Sequence, residues 1–119
     1  MLYHIKVYMP KKSKATNLPR KAKAELETMG LQIKLARKRR GLSIATIAER
    51  AQCSELTVIR AERGTPTVSI GIYARILFGL GLSSDLLLIA KEDKFGSGLI
   101  NNRLLRKNEK DIDDYDVFD

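Results

Sequence analysis

The chain has 119 residues, 44% of them hydrophobic, enough for one small core with a tail. One cysteine (Cys53) and one histidine (His4) exclude a disulfide framework, a cysteine-based zinc site and a His-rich metal site, so neither a metal nor a cofactor is expected. The net charge of +8 points to a polyanionic partner, and the longest apolar run, residues 86–90, is far too short to span a membrane, which suggests a cytoplasmic protein.

Residues 2–9 alternate loosely and are rich in β-formers. They read either as a short strand or, if Met9 is the true start rather than Met1, as an unstructured lead. His4 and Lys6 fall where a secretory leader would need an apolar run. Residues 10–20, with Pro10, Pro19, Ser13 and Asn17 among lysines, read as a basic linker. Residues 21–29 have helical composition without strong periodicity. Over residues 1–40 there are 12 bases and 2 acids. The division this suggests is a basic arm (1–28), a helical domain (29–90) and a C-terminal extension (91–119).

From Met29 the period becomes helical, with Gly30, Ile33 and Ala36 on one face and Gly41 ending the segment. Ser43 is placed to cap a second helix over 44–51, with Ile47, Ala48 and Ala51 inward. Gln52-Cys53-Ser54 makes a turn. Ser54 is placed to cap a third helix over 55–63, with Val58 and Ala61 inward. Ser69 caps a fourth, with Tyr73, Ile76, Leu77 and Leu80 at helical spacing. A short fifth helix is expected over 85–90. Residues 95–98, Phe-Gly-Ser-Gly, read as a break, with a weak helix over 99–105 beyond it. Residues 109–119 hold 6 acids and 1 base and read as a disordered acidic tail. The expected fold is all-α, five helices with a basic N-terminal arm and an acidic C-terminal tail.

The second and third helices, joined by three residues, form a helix-turn-helix pattern. Ala48 supplies the small residue where they cross, and Val58 the branched apolar residue on the inner face. A plain helical hairpin shares those features.

A wider stretch narrows this. Residues 30–82 resemble the Cro and phage-repressor type of helix-turn-helix domain, the XRE family. The resemblance is carried by Gly30, Ile33, Arg37, Gly41-Leu42-Ser43, Ile47-Ala48-Glu49-Arg50-Ala51, Ser54, Thr57, Val58, Arg60 and Glu62-Arg63-Gly64. Pro66, Ser69, Ala74 and Leu80-Gly81-Leu82 complete it. It implies a homodimer on a palindromic site in double-stranded DNA. It also implies a structural pair, Arg37 with Glu62, tying the first helix to the end of the third. The chain departs from the pattern at Ile44, where the family usually has Gln, and at Gln52, where it usually has Gly. Leu56 and Ile59 stand where polar residues are commoner.

Recognition helices read bases from their N-terminal turns, which makes Glu55, Leu56, Thr57 and Arg60 the candidate base contacts. Arg60 suits guanine, Glu55 a cytosine amine or simply the helix dipole, and Leu56 a thymine methyl. For Leu56 and Ile59 a protein interface is the other reading. Candidate phosphate contacts are Arg39, Arg40, Ser43, Ser54, Thr65 and Thr67, with Lys21 and Lys23 from the arm.

Leu18-Pro19-Arg20, residues 36–40, 69–77 and 93–99 resemble the HipB-like branch, whose members accompany a HipA-like kinase toxin. This implies an antitoxin that represses its own operon. A stand-alone phage-type repressor is the alternative, as is a protein-only adaptor that has lost DNA binding. The acidic tail is expected to act on a protein or on the basic arm, since phosphate repels it. An enzyme is not expected. Asp113, Asp114 and Asp116 could gather Mg²⁺, but no histidine or phosphate-binding loop supports them.

Overall fold

The computed structural model describes residues 17–106, and these are all-α, with no strand among them. Helix α1 spans Arg20–Arg39, α2 Ile44–Ala51, α3 Glu55–Glu62 and α4 Ile70–Leu80. A 3₁₀ turn follows at Ser83–Leu88, then α5 at Lys94–Arg106. The chain divides into two compact units, at residues 1–83 and 84–119. The strand expected at 2–9, the linker up to residue 16 and the acidic tail lie outside the described residues.

Three serines start three helices in the same way. Ser43, Ser54 and Ser69 accept from the backbone N–H of Thr46, Thr57 and Ile72, three residues on. Each bond satisfies one of the four amide groups that a helix start leaves without partners. The turn between α2 and α3 is made by Gln52 at φ 54°, ψ 47°, a left-handed conformation that glycine adopts without the clash a Cβ brings.

The core of the first unit is built from all four of its helices. Ile33 and Ala36 of α1, Ile47, Ala48 and Ala51 of α2, Val58 and Ala61 of α3, and Tyr73, Ile76 and Leu80 of α4 are buried together. Helix α1 crosses the end of α3 at nearly backbone-to-backbone distance. A Cβ on Gly30 would sit 2.5 Å from the Gly64 nitrogen and 2.6 Å from the Glu62 carbonyl oxygen. Gly64, at φ +72°, in turn packs against the Leu26 backbone. Only glycines allow that crossing.

The structure corrects three expectations. Residues 20–28, read as part of the arm, are the first turns of α1, so Lys21 and Lys23 are helical. The half-buried apolar positions of this half of α1, Ala22, Leu26 and Met29, are spaced four and three apart, a sparse stripe beside the Gly30–Gly64 crossing. Residues 83–88 form a 3₁₀ helix where an α-helix over 85–90 is expected. Residues 95–98 do not break the chain. They lie inside α5, whose start is held by Asp93: its carboxylate accepts from Gly96 N–H at 2.9 Å and its carbonyl from Ser97 N–H at 2.9 Å. The two glycines each cost about 1 kcal/mol of helix propensity, and the cap offsets part of it.

Candidate nucleic-acid interface

Helices α2 and α3 present matching N-termini. In each, the capping serine also meets the hydroxyl of the threonine three residues on, Ser43 with Thr46 at 3.0 Å and Ser54 with Thr57 at 2.8 Å. The caps use one amide per helix, and the first-turn amides before it have no intrahelical partner. Ser43 and Ser54 are themselves exposed. Two serine-capped helix starts of this kind suit the positioning of phosphate.

A buried ion pair joins α1 to the end of α3. Arg37 Nε donates to Glu62 Oε2 at 2.7 Å, Nη2 to Glu62 Oε1 at 3.1 Å, and Nη1 to the Leu42 carbonyl at 2.9 Å. Both residues are buried, at 7% and 8% exposure. The hydrogen bonds to Glu62 lift the guanidinium pKa above its ordinary value, against the opposing pull of burial. With three donors engaged inside the protein, Arg37 fastens α1 to α3 and to the α1–α2 turn. A buried pair of this geometry fixes orientation more than it adds stability.

The other candidates fall into three groups. Glu55, Leu56 and Arg60 are exposed on α3, with Leu56 at 52%, and Thr57 is half-buried with its hydroxyl taken up by Ser54. Arg39, Arg40 and Ser43 cluster at the α1–α2 turn, where Arg40 Nη1 also donates to the Ala36 carbonyl at 2.9 Å. Thr65 and Thr67 follow α3, on a loop held by the Tyr73 hydroxyl, which donates to the Thr65 carbonyl at 3.2 Å. Lys21 and Lys23 are exposed in the first turns of α1, about 25 Å of helix away from Arg39. The arginines and these lysines cannot serve one phosphate.

Sequence reasoning missed Lys34, Lys38 and Arg63. They rim a cleft whose lining also includes Ile44, Ile59 and the Arg37–Glu62 pair. The i,i+4 spacing of Lys34 and Lys38 on one helix face was the available signal. Ile44 and Ile59, each a departure from the resembled pattern, therefore meet across one cleft and are half-buried there.

A family model described as a helix-turn-helix domain matches residues 28–88. The chain belongs to the helix-turn-helix domain family. No curated protein and no solved structure matches it. Membership of the helix-turn-helix family supports a DNA-binding regulator and is consistent with the Cro and phage-repressor resemblance. Among the described residues no helix is long and apolar enough to cross a membrane, and no cluster of three potential metal ligands occurs.

Proposed function

We propose that this protein is a sequence-specific regulator that binds double-stranded DNA as a homodimer on a palindromic operator, with α3 in the major groove. The observation that carries the reading is the exposed outer face of α3, Glu55, Leu56 and Arg60, on a helix whose orientation is locked by Arg37 and Glu62. Arg60 reads a base, and the starts of α2 and α3 with Arg39 and Arg40 hold phosphates. Lys21 and Lys23 are a separate backbone contact at the far end of α1. Gel-shift with the protein's own promoter is the direct test. A folded sample that fails to retard any duplex at low salt refutes the reading. Arg60→Ala should relax base preference at one position by about 1–3 kcal/mol, whereas Lys21→Ala should lower affinity for all duplexes alike and reduce the salt slope by about one.

The finer role is antitoxin and operon autorepressor for a HipA-like kinase toxin. It is supported by the short motifs at residues 18–20, 36–40, 69–77 and 93–99. A kinase-like reading frame beside the gene, whose product co-purifies with this chain, bears it out. An isolated gene favours the stand-alone repressor.

A further inference from the structure

We propose that the cleft lined by α1, the start of α2 and the end of α3 is a binding site for a small amphipathic organic anion, a carboxylate or phosphate monoester head on an aliphatic body, and that its occupancy competes with DNA. Binding of the anion stands on the cleft alone. Its effect on DNA rests on the DNA-binding reading.

The cleft has two chemically distinct layers. Its floor is Ile44, the first residue of α2, and Ile59 of α3, both half-buried. Its rim is Lys34 and Lys38, one turn apart on α1, and Arg63, which follows the last residue of α3. Among the described residues, none of these three side chains has a hydrogen-bond or ion-pair partner. The remaining cation of the lining, Arg37, is engaged by Glu62 and by the Leu42 carbonyl, so the carboxylate in the lining is already matched. What is left is three unmatched positive charges over an aliphatic floor.

Size and chemistry together select the occupant. The cleft encloses about 320 Å³, at the small end of the range for organic ligands, about 300–1,000 Å³. One turn of a protein helix, about 10 Å across with its side chains and about 5.4 Å long, is larger. A phosphodiester answers the rim alone. An uncharged apolar molecule covers the floor and leaves three cations partly desolvated. An anion with an aliphatic body does both. Its head meets Lys34, Lys38 and Arg63, and its body lies on the two isoleucines and the methylene stems of the lysines. The start of α2 is the proposed phosphate contact, so an anion bound against Ile44 stands in the way of the DNA backbone and neutralises the cations beside it.

The test uses the full chain, labelled at isoleucine and leucine methyl groups, and octanoate below its micelle concentration as the probe. Acetate and octanol serve as its two halves. Octanoate should shift the Ile44 and Ile59 methyl resonances saturably. Acetate should bind at least about tenfold more weakly, since two buried methylenes are already worth that factor. Octanol should also lose about tenfold, the worth of a hydrogen bond to a charged group. The double variant Lys38→Gln/Arg63→Gln, at two exposed positions, should bind octanoate about tenfold more weakly and octanol as before. Three results overturn the site: shifts confined to the residues exposed in 84–106, octanol bound as tightly as octanoate, or octanoate bound unchanged by the double variant. In a gel-shift, saturating octanoate should release a retarded duplex that acetate at the same concentration, the ionic-strength control, leaves in place. If octanoate binds at the isoleucines and the duplex stays retarded, the competition is overturned and the site stands. If no duplex is retarded at all, the DNA-binding reading fails and takes the competition with it, while the methyl titration still decides the site.

Discussion

Helices α1–α4 and the segment 83–106 are both helical, yet they are helical for different reasons. The first four helices bury ten apolar residues from Ile33 to Leu80, and α2 and α3, at eight residues each, are too short to persist alone. Packing makes them helices. In residues 84–106 no described side chain is buried, and Leu87, Leu88, Ile89, Phe95 and Leu105 are each more than 60% exposed. Helix α5 has thirteen residues, two of them glycine, and stands on the Asp93 cap. A short helix with a core is therefore expected to be firmer than a longer one without.

The widest test of that contrast is deletion of apolar side chains on either side. Ile76 is fully buried, and Ile76→Ala should cost about 3–4 kcal/mol by removing its methyl groups and leaving a cavity. Leu105, 87% exposed, should change stability by no more than about 0.5 kcal/mol when truncated. Chemical denaturation followed by circular dichroism measures both. Equal effects would show that residues 84–106 share the core's cooperativity.

Glu62→Ala comes next. It leaves Arg37 buried without its carboxylate, at a cost of about 3 kcal/mol. Glu62→Gln keeps one acceptor and should cost less. Amide exchange should then rise across α1 and α3 together, while α5 exchanges as before.

How far the sequence alone leads follows the same division. Ile47, Val58, Tyr73 and Ile76 are legible because a buried helix face repeats its apolar residues every three or four positions. Ser43, Ser54 and Ser69 announce the helix starts by their chemistry. The first half of α1 escapes that reading because its stripe is sparse, only Ala22, Leu26 and Met29, and its closest approach is the Gly30–Gly64 backbone crossing, which composition does not display. Residues 95–98 mislead because two glycines signal a break, while the cap at Asp93 acts through a hydrogen bond that composition does not display. At the interface, Leu56 and Arg60 are legible from their place on the helix. The cleft that joins Ile44 to Ile59 and gathers Lys34, Lys38 and Arg63 is not, because it depends on how three helices are set against one another.

Alkali should act on the first unit. Burial pushes the Tyr73 hydroxyl and the Cys53 thiol above their ordinary values, with Arg75 partly offsetting the second. Both are neutral when protonated, so the fold retains the proton longer than the unfolded chain does. Their contribution is complete below the unfolded values, about 8.5 for Cys and 10 for Tyr, and is lost as pH rises through the raised folded ones. The Tm should therefore fall from about pH 9 upward. Tyr73→Phe should flatten the part of the fall beyond about pH 10, at a constant cost of about 1 kcal/mol for the lost bond to Thr65. Residues 84–106 contain neither tyrosine nor cysteine.

The smallest effect separates the two regions most cleanly, because among the described residues a non-glycine residue adopts positive φ once in each. Gln52 has φ 54° in the α2–α3 turn and Ala90 has φ 58° after the 3₁₀ turn. Each carries a Cβ into the left-handed region, and glycine relieves that at the expense of a more flexible unfolded chain, for a net gain of up to about 1 kcal/mol. In the first unit the turn is coupled to the core through Ala51, so Gln52→Gly should raise the midpoint of global unfolding by a few degrees. In the second, no buried side chain ties Ala90 to a cooperative transition, so Ala90→Gly should leave that midpoint where it is. Thermal melts of the two variants read this directly. A shift in the Ala90→Gly melt matching that of Gln52→Gly would mean that residues 84–106 unfold with the core, and the distinction between packed and locally held helices would fail.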